Sequence, residues 1–348
     1  MPDAVSSKMR KEALEAPTVV ERLLKENRRE VESLAGYLRR NPPPFALTVA
    51  RGSSDHAALF GKYLFESLLN IVTASAAPSV FTVYDAVPRV SRALVAAISQ
   101  SGESPDLLEV VQTAKRSGAL TLALVNQPQA PLAKLCEAAL PLWAGVEESV
   151  AATKSYLAAL AALAQLAAQW KQDKALISAL EQLPEAMQRA SEADWTEGLE
   201  ALHETENTLV VGRGYAFAIA SELALKLKET SALHAEALSG AELLHGPVAL
   251  VEPGFPLLLL APKDRPLESI IALAENLKTK GAHLLIASSE PSALGLAHTP
   301  LPLPVKLHPV LDGILLAQAF YPFAAQLAKA RGLDPDRPRN LAKVTRTR

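Results

Sequence analysis

Two stretches of this chain combine residue types and spacings that could do chemistry. The first, Ser99-Gln100-Ser101-Gly102-Glu103-Ser104, follows directly on the apolar residues 94–98 and precedes Pro105. An apolar run, a hydroxyl-rich turn and a proline describe a buried strand, a loop and the first turn of a helix. Ser104 suits the N-cap, so backbone N–H groups and the positive helix end converge on a turn lined by Ser99, Ser101 and Ser104. Such a turn is built to hold an anion, most simply a phosphate; it also fits a capped loop that binds nothing. The second stretch, ELALKLKE at 222–229, sets Glu222, Lys226 and Glu229 at i, i+4 and i+7 on one helical face. That spacing makes a candidate acid–base cluster, or a solvated stripe with an intrahelical ion pair. His245, ahead of Gly246-Pro247, falls in a turn, and the tail RGLDPDRPRNLAK (331–343), which carries Lys343, has the composition of a frayed end.

These residues need elements to hold them. Residues 1 to about 40 have helical spacing, with a helix start expected at Pro17. Residues 46–50 read as a strand, 51–54 as a turn and 55–69 as a helix. The strand and turn at 94–104 lead into a helix that stops at Gly118, and strands follow at 120–125 and 138–143. The Ala-rich stretch 150–170 reads as a buried or interface helix rather than a membrane span, and 171–201 as charged and helical. The pattern then begins again: strand 208–211, helix 216–229, strand 256–261, helix 267–280 and strand 284–287. Alternation of this kind predicts an α/β protein with doubly wound parallel sheets. Val49-Ala50-Arg51-Gly52 aligns with Val211-Gly212-Arg213-Gly214 at an offset of 162, and Gly118 with Gly281 at 163, which predicts a duplicated domain. The repeat is unequal where SQSGES stands in the first copy, because the second holds Pro262-Lys263-Asp264-Arg265-Pro266.

Bulk properties narrow the partners. The 348 residues suffice for two domains, and 35 Lys and Arg against 37 Asp and Glu, a net charge of −2, give no electrostatic case for nucleic acid or an anionic membrane. The single cysteine, Cys136, excludes an internal disulfide and a multi-cysteine metal site and fits a reducing cytoplasm. The polar, charged first 16 residues lack the apolar run of a signal peptide.

Taken together, SQSGES after a strand, VAATK at 150–154, ALKLKE with HAEALSGAELLHGP at 224–247, and the terminal DPDRPRNLAK resemble, in that order, the sugar isomerase (SIS) family. They look most like the isomerase half of the glutamine:fructose-6-phosphate amidotransferases, and EALEAP at 12–17 is similar to that family's entry motif. The resemblance implies two tandem SIS domains of flavodoxin- or Rossmann-like topology: a helical segment (1–45), a phosphate-binding domain (46–172), a helical linker (173–200), a domain with the catalytic Glu and His (201–330) and a closing tail (331–348). It further implies that Ser54, Ser99, Gln100, Ser101 and Ser104 bind the phosphate of a hexose or hexosamine 6-phosphate, with Val150 and Ala152 near the sugar. Glu229 would move the proton between C1 and C2, His245 would open the ring from the neighbouring subunit of a homodimer, and Lys226 and Glu222 would handle hydroxyl protons and orient the others. Lys343 would close over the site and can form a Schiff base with the keto sugar. Neither metal nor organic cofactor is required. The synthases begin with a glutaminase domain for which this chain has no room, so the expected reaction is deamination of glucosamine 6-phosphate to fructose 6-phosphate. A fructosamine-6-phosphate deglycase, a plain phosphosugar isomerase and a sugar-phosphate-sensing regulator are the alternatives.

Overall fold

A computed structural model describes residues 7–343. The chain divides into two compact units. One comprises Thr18–Glu147, Lys154–Glu181 and residues 342–343; the other comprises residues 7–17, Glu148–Thr153 and Gln182–Leu341.

The first unit is built on five parallel strands, β1 (Ala46–Val49), β2 (Thr73–Ser75), β3 (Leu94–Ser99), β4 (Leu120–Val125) and β5 (Ala138–Pro141), in the order β2-β1-β3-β4-β5. Its helices, beginning in the shared α1 (Lys8–Glu26), are α2 (Arg28–Arg40), α3 (Ser53–Leu69), α4 (Pro78–Thr82), α5 (Pro105–Arg116), α6 (Pro131–Leu135) and α7 (Lys154–Lys171). All six residues of β3 are buried, as expected of a strand covered on both faces of a parallel sheet. Val49, Ala97, Ala123 and Val125 pack on Leu107, Val110 and Val111 of α5.

The second unit takes in the end of α8 (Lys174–Ala190), a helix shared with the first unit, and α9 (Thr196–His203). Its strands are β6 (Asn207–Gly212), β7 (His234–Ser239), β8 (Pro256–Leu260), β9 (His283–Ser288) and β10 (Thr299–Pro302), and its helices α10 (Tyr215–Ser231), α11 (Gly240–Leu244), α12 (Leu267–Thr279), α13 (Pro291–Leu294) and α14 (Asp312–Ala330). The sheet runs β7-β6-β8-β9-β10. Renumbered within each copy, both sheets have the order 2-1-3-4-5, whose switch point lies between the first and third strands.

The duplication holds in detail. Gly52 (φ 55°, ψ −133°) and Gly214 (φ 62°, ψ −133°) are matching N-caps of α3 and α10. Asn70 and Ala232 end those helices in the left-handed conformation, 162 residues apart. Gly118 and Gly281 share φ 81°.

One expectation is corrected. Pro17 lies inside α1 instead of starting it. Proline has no N–H to offer the carbonyl one turn back, and here Gln318 Nε2 donates to the Ala13 carbonyl at 2.9 Å. The tertiary bond replaces the helical one, so the helix continues. Among the described residues, no helix is long and apolar enough to cross a membrane.

Candidate active site

In the first unit, β1 and β3 lie side by side, with Val49 opposite Ala97, so the loops after them share the carboxyl edge of the sheet at the switch point. Ser54 is in the first turn of α3, after a loop whose Gly52 faces open space: a Cβ there would meet no atom within 4 Å. Ser99 is buried, and its hydroxyl accepts the Gly102 N–H at 3.0 Å; the Ser101 hydroxyl accepts the Glu103 N–H at 3.3 Å. Gly102 turns at φ 65° against α6, where a Cβ would stand 2.7 Å from that of Ala130, so only glycine fits. Ser104 is the N-cap of α5 and Pro105 opens the helix, but the Ser104 hydroxyl makes no capping bond. It, Gln100 and Ser101 are half-buried at the loop. Ser99, Gln100, Ser101 and Ser104 therefore meet in one turn, with Ser54 at the start of α3, just after the neighbouring loop.

A brace that the sequence analysis did not single out ties the two loops together. Arg51 places Nε and a terminal guanidinium nitrogen each 2.9 Å from Oδ2 of Asp106, a buried carboxylate in the first turn of α5. Asp106 Oδ1 also accepts the Leu107 N–H at 2.9 Å. Local pattern gave no sign of this pair, because its partners are 55 residues apart.

The matching loop of the second unit is crowded. A Cβ on Gly214 would lie 3.2 Å from Pro266 Cγ and 3.7 Å from Asp264 Oδ2. The same backbone conformation thus leads to an open loop in one copy and a filled one in the other.

The second unit carries the charged helix. The side chains of Glu222 and Lys226 are 0% and 1% exposed, which rules out a solvated stripe. Lys226 Nζ lies 3.3 Å from Glu222 Oε1 and 2.5 Å from Glu229 Oε2, and Tyr321 of α14 donates its hydroxyl to Glu222 Oε1 at 3.1 Å. Burial works against the ammonium, but the Glu222 and Glu229 carboxylates outweigh it and hold Lys226 above its ordinary lysine value. Lys226 is therefore a fixed cation. Glu229, 21% exposed, is the member of the trio that reaches the surface. A carboxylate held by one buried cation and open on its other side can take a proton from a substrate carbon and return it to the next.

The remaining candidates fall as follows. His245 is exposed just after α11, ahead of Gly246 at φ 140°. Val150 and Ala152 are half-buried on the connection before α7, and the Val150 N–H donates to the Asp336 carbonyl at 3.2 Å. Glu12, of the entry motif, accepts the Ser149 N–H at 3.2 Å. Asp336 caps α1 through the Lys8 and Met9 N–H groups at 2.9 and 2.8 Å, so the tail is docked at this point rather than frayed. In the first unit, Lys343 Nζ lies 2.9 Å from Oε2 of Glu147, a buried carboxylate that sequence reasoning missed. Cys136 follows α6, and burial pushes its thiol up to about 11, which keeps it in the unreactive form at neutral pH.

The profile of the SIS domain matches residues 46–169 and 201–298, one segment in each repeat. The chain belongs to the SIS domain family. Among relatives of this SIS protein, the glutamine–fructose-6-phosphate aminotransferase [isomerizing] of Thermococcus kodakarensis is 34% identical over 352 residues, 96% of this chain and 57% of that one. The chain thus spans little more than half the length of the curated relatives it matches. A solved structure described as a candidate phosphosugar isomerase from Silicibacter pomeroyi is 40% identical, with a TM-score of 0.88 over 95% of this chain and all of that one. The C-terminal domain of the glucosamine-fructose-6-phosphate aminotransferase of Francisella tularensis superposes at a TM-score of 0.84 with 26% identity, over 96% of this chain and 98% of that domain.

Proposed function

We propose that this SIS protein is a phosphosugar enzyme that converts glucosamine 6-phosphate to fructose 6-phosphate and ammonia. The observation that carries the reading is the buried Glu222–Lys226–Glu229 cluster, whose one partly exposed carboxylate, Glu229, can serve as the proton carrier. In this reading the serine turn after β3 holds the phosphate and His245, contributed by a second copy of the chain, opens the ring. Glu229 takes the C2 proton of the open-chain amino aldose and delivers it to C1. The C2 amine becomes an imine, and water then releases ammonia to leave the 2-keto sugar. The kinship with an aminotransferase acting on fructose 6-phosphate supports the substrate class, because amination and deamination of that sugar break and make the same bonds.

The test is incubation of the purified protein with glucosamine 6-phosphate while ammonia and fructose 6-phosphate are followed together. Equimolar release of both is expected. No turnover of this sugar or of galactosamine 6-phosphate overturns the deaminase reading, and turnover of a glycated amino acid phosphate selects a deglycase instead.

A further inference from the structure

The side chain of Glu147 is wholly buried in the first unit, outside the serine turn and the Glu222–Lys226–Glu229 cluster. Its carboxylate accepts the backbone N–H of Ser155 at 3.1 Å and the Ser155 hydroxyl at 2.7 Å, both at the start of α7. It also lies 2.9 Å from Lys343 Nζ. A carboxylate withdrawn from water stays ionised only where hydrogen bonds and positive charge replace the water. Ser155 supplies two hydrogen bonds, and Lys343 supplies a full charge. The Lys343 side chain keeps 26% of its surface open, so the amine is held from one side and approachable from another.

We propose that Glu147 is a positioning residue for Lys343, pairing with its nitrogen both as the ammonium and as the imine that it forms at C2 of a ketose 6-phosphate. The inference rests on the reading of Lys343 as the lysine that condenses with the sugar. In that step the ammonium gives up a proton, and the nitrogen lone pair forms a bond to C2. A second proton passes from nitrogen to oxygen to give a carbinolamine, whose hydroxyl takes up the first proton and leaves as water. An ammonium and a carbonyl thus become a protonated imine and water. One positive charge stands beside Glu147 before and after, so the buried carboxylate keeps a counter-charge through the step and holds the nitrogen in place as the iminium forms.

Borohydride reduction tests this directly. Wild-type protein with fructose 6-phosphate should acquire the reduced sugar phosphate on Lys343, read by mass spectrometry of the tail peptide. Glu147→Gln, which keeps an acceptor for Ser155 but no charge, should slow trapping at least tenfold, and Glu147→Asp should restore part of it. Equal trapping in wild type and Glu147→Gln overturns the inference while leaving the role of Lys343 intact. No adduct in wild type overturns that role and the inference with it. Should Glu147→Gln fail to fold alone, stability decides: Lys343→Met should lower the melting temperature, and adding Glu147→Gln in the same chain should raise it again. Additive losses in the double variant would show that Glu147 does not depend on Lys343 for its charge balance, and would overturn the pairing.

Discussion

At the residue scale, the proposed chemistry turns on three side chains of α10. Glu222 and Lys226 stay buried at almost no exposure because each neutralises the other, with Tyr321 taking part of the Glu222 hydrogen-bonding capacity. Removing one member leaves the others uncompensated. Lys226→Met should therefore destabilise the protein by about 3–5 kcal/mol, and Lys226→Met with Glu222→Gln by less, as measured by urea unfolding. A single variant within ~1 kcal/mol of wild type would mean that water reaches the pair. Glu229 is a different case, since its partly open carboxylate is assigned to proton transfer rather than to support. Glu229→Gln should cut turnover about 10²–10⁴-fold with little change in substrate binding. Chains carrying it should regain part of the activity when mixed with His245→Ala chains if a second copy supplies the histidine; absence of recovery would return His245 to the site of its own chain. A wild-type rate in Glu229→Gln would remove it as the carrier.

At the scale of elements, the start of α14 holds the clearest pH signal. Asp312 is 2% exposed and its Oδ1 accepts the Leu307 N–H at 2.8 Å. Burial, reinforced by the Asp264 and Glu290 carboxylates, lifts it from 3.8 to about 6, against the pull of that bond and of Lys306. A carboxyl raised on folding stabilises the native state fully below its ordinary value, and that contribution is lost as pH rises through about 6. Asp312→Asn keeps the acceptor without the charge, so it should be more stable than wild type at pH 7–8, by up to ~3 kcal/mol, and should lose that advantage toward pH 4. Melting temperatures of both proteins across that range check it, and an advantage that does not grow with pH would refute it. What the sequence revealed of these elements follows the same physics. Strands β1, β3, β4, β6, β8 and β9 announced themselves as apolar runs between turn residues. Strands β2, β7 and β10 did not: they are sheet edges, half-exposed and mixed in composition, and β10 carries two prolines. Helix α14 also escaped notice, because a helix buried on nearly every side has no polar face to mark its period.

For the whole molecule, separation along the chain explains why half of the candidate site was legible and half was not. The serine turn and the Glu-Lys-Glu spacing lie within single elements, so local pattern displays them. The Arg51–Asp106 brace and the Glu147–Lys343 pair join residues 55 and 196 positions apart, which only the folded chain brings together. The unequal repeat, visible in the sequence as SQSGES against PKDRP, acquires a physical meaning in the glycines. Gly52 and Gly214 have nearly the same φ and ψ, but open space lies beside the first and Pro266 beside the second. Of the two matching loops, the one at Gly52 is uncrowded and the one at Gly214 is not, so each chain should bind one phosphate ester rather than two. Isothermal titration with fructose 6-phosphate should give a stoichiometry of one per chain. Ser99→Ala with Ser101→Ala should abolish the heat, because those hydroxyls shape the turn proposed to hold the phosphate, whereas Arg265→Ala, in the PKDRP stretch that stands in the place of that turn in the second copy, should leave it in place. Two sites per chain, or loss of binding on changing Arg265, would mean that the second crevice opens to ligand and that the division of labour between the repeats is wrong.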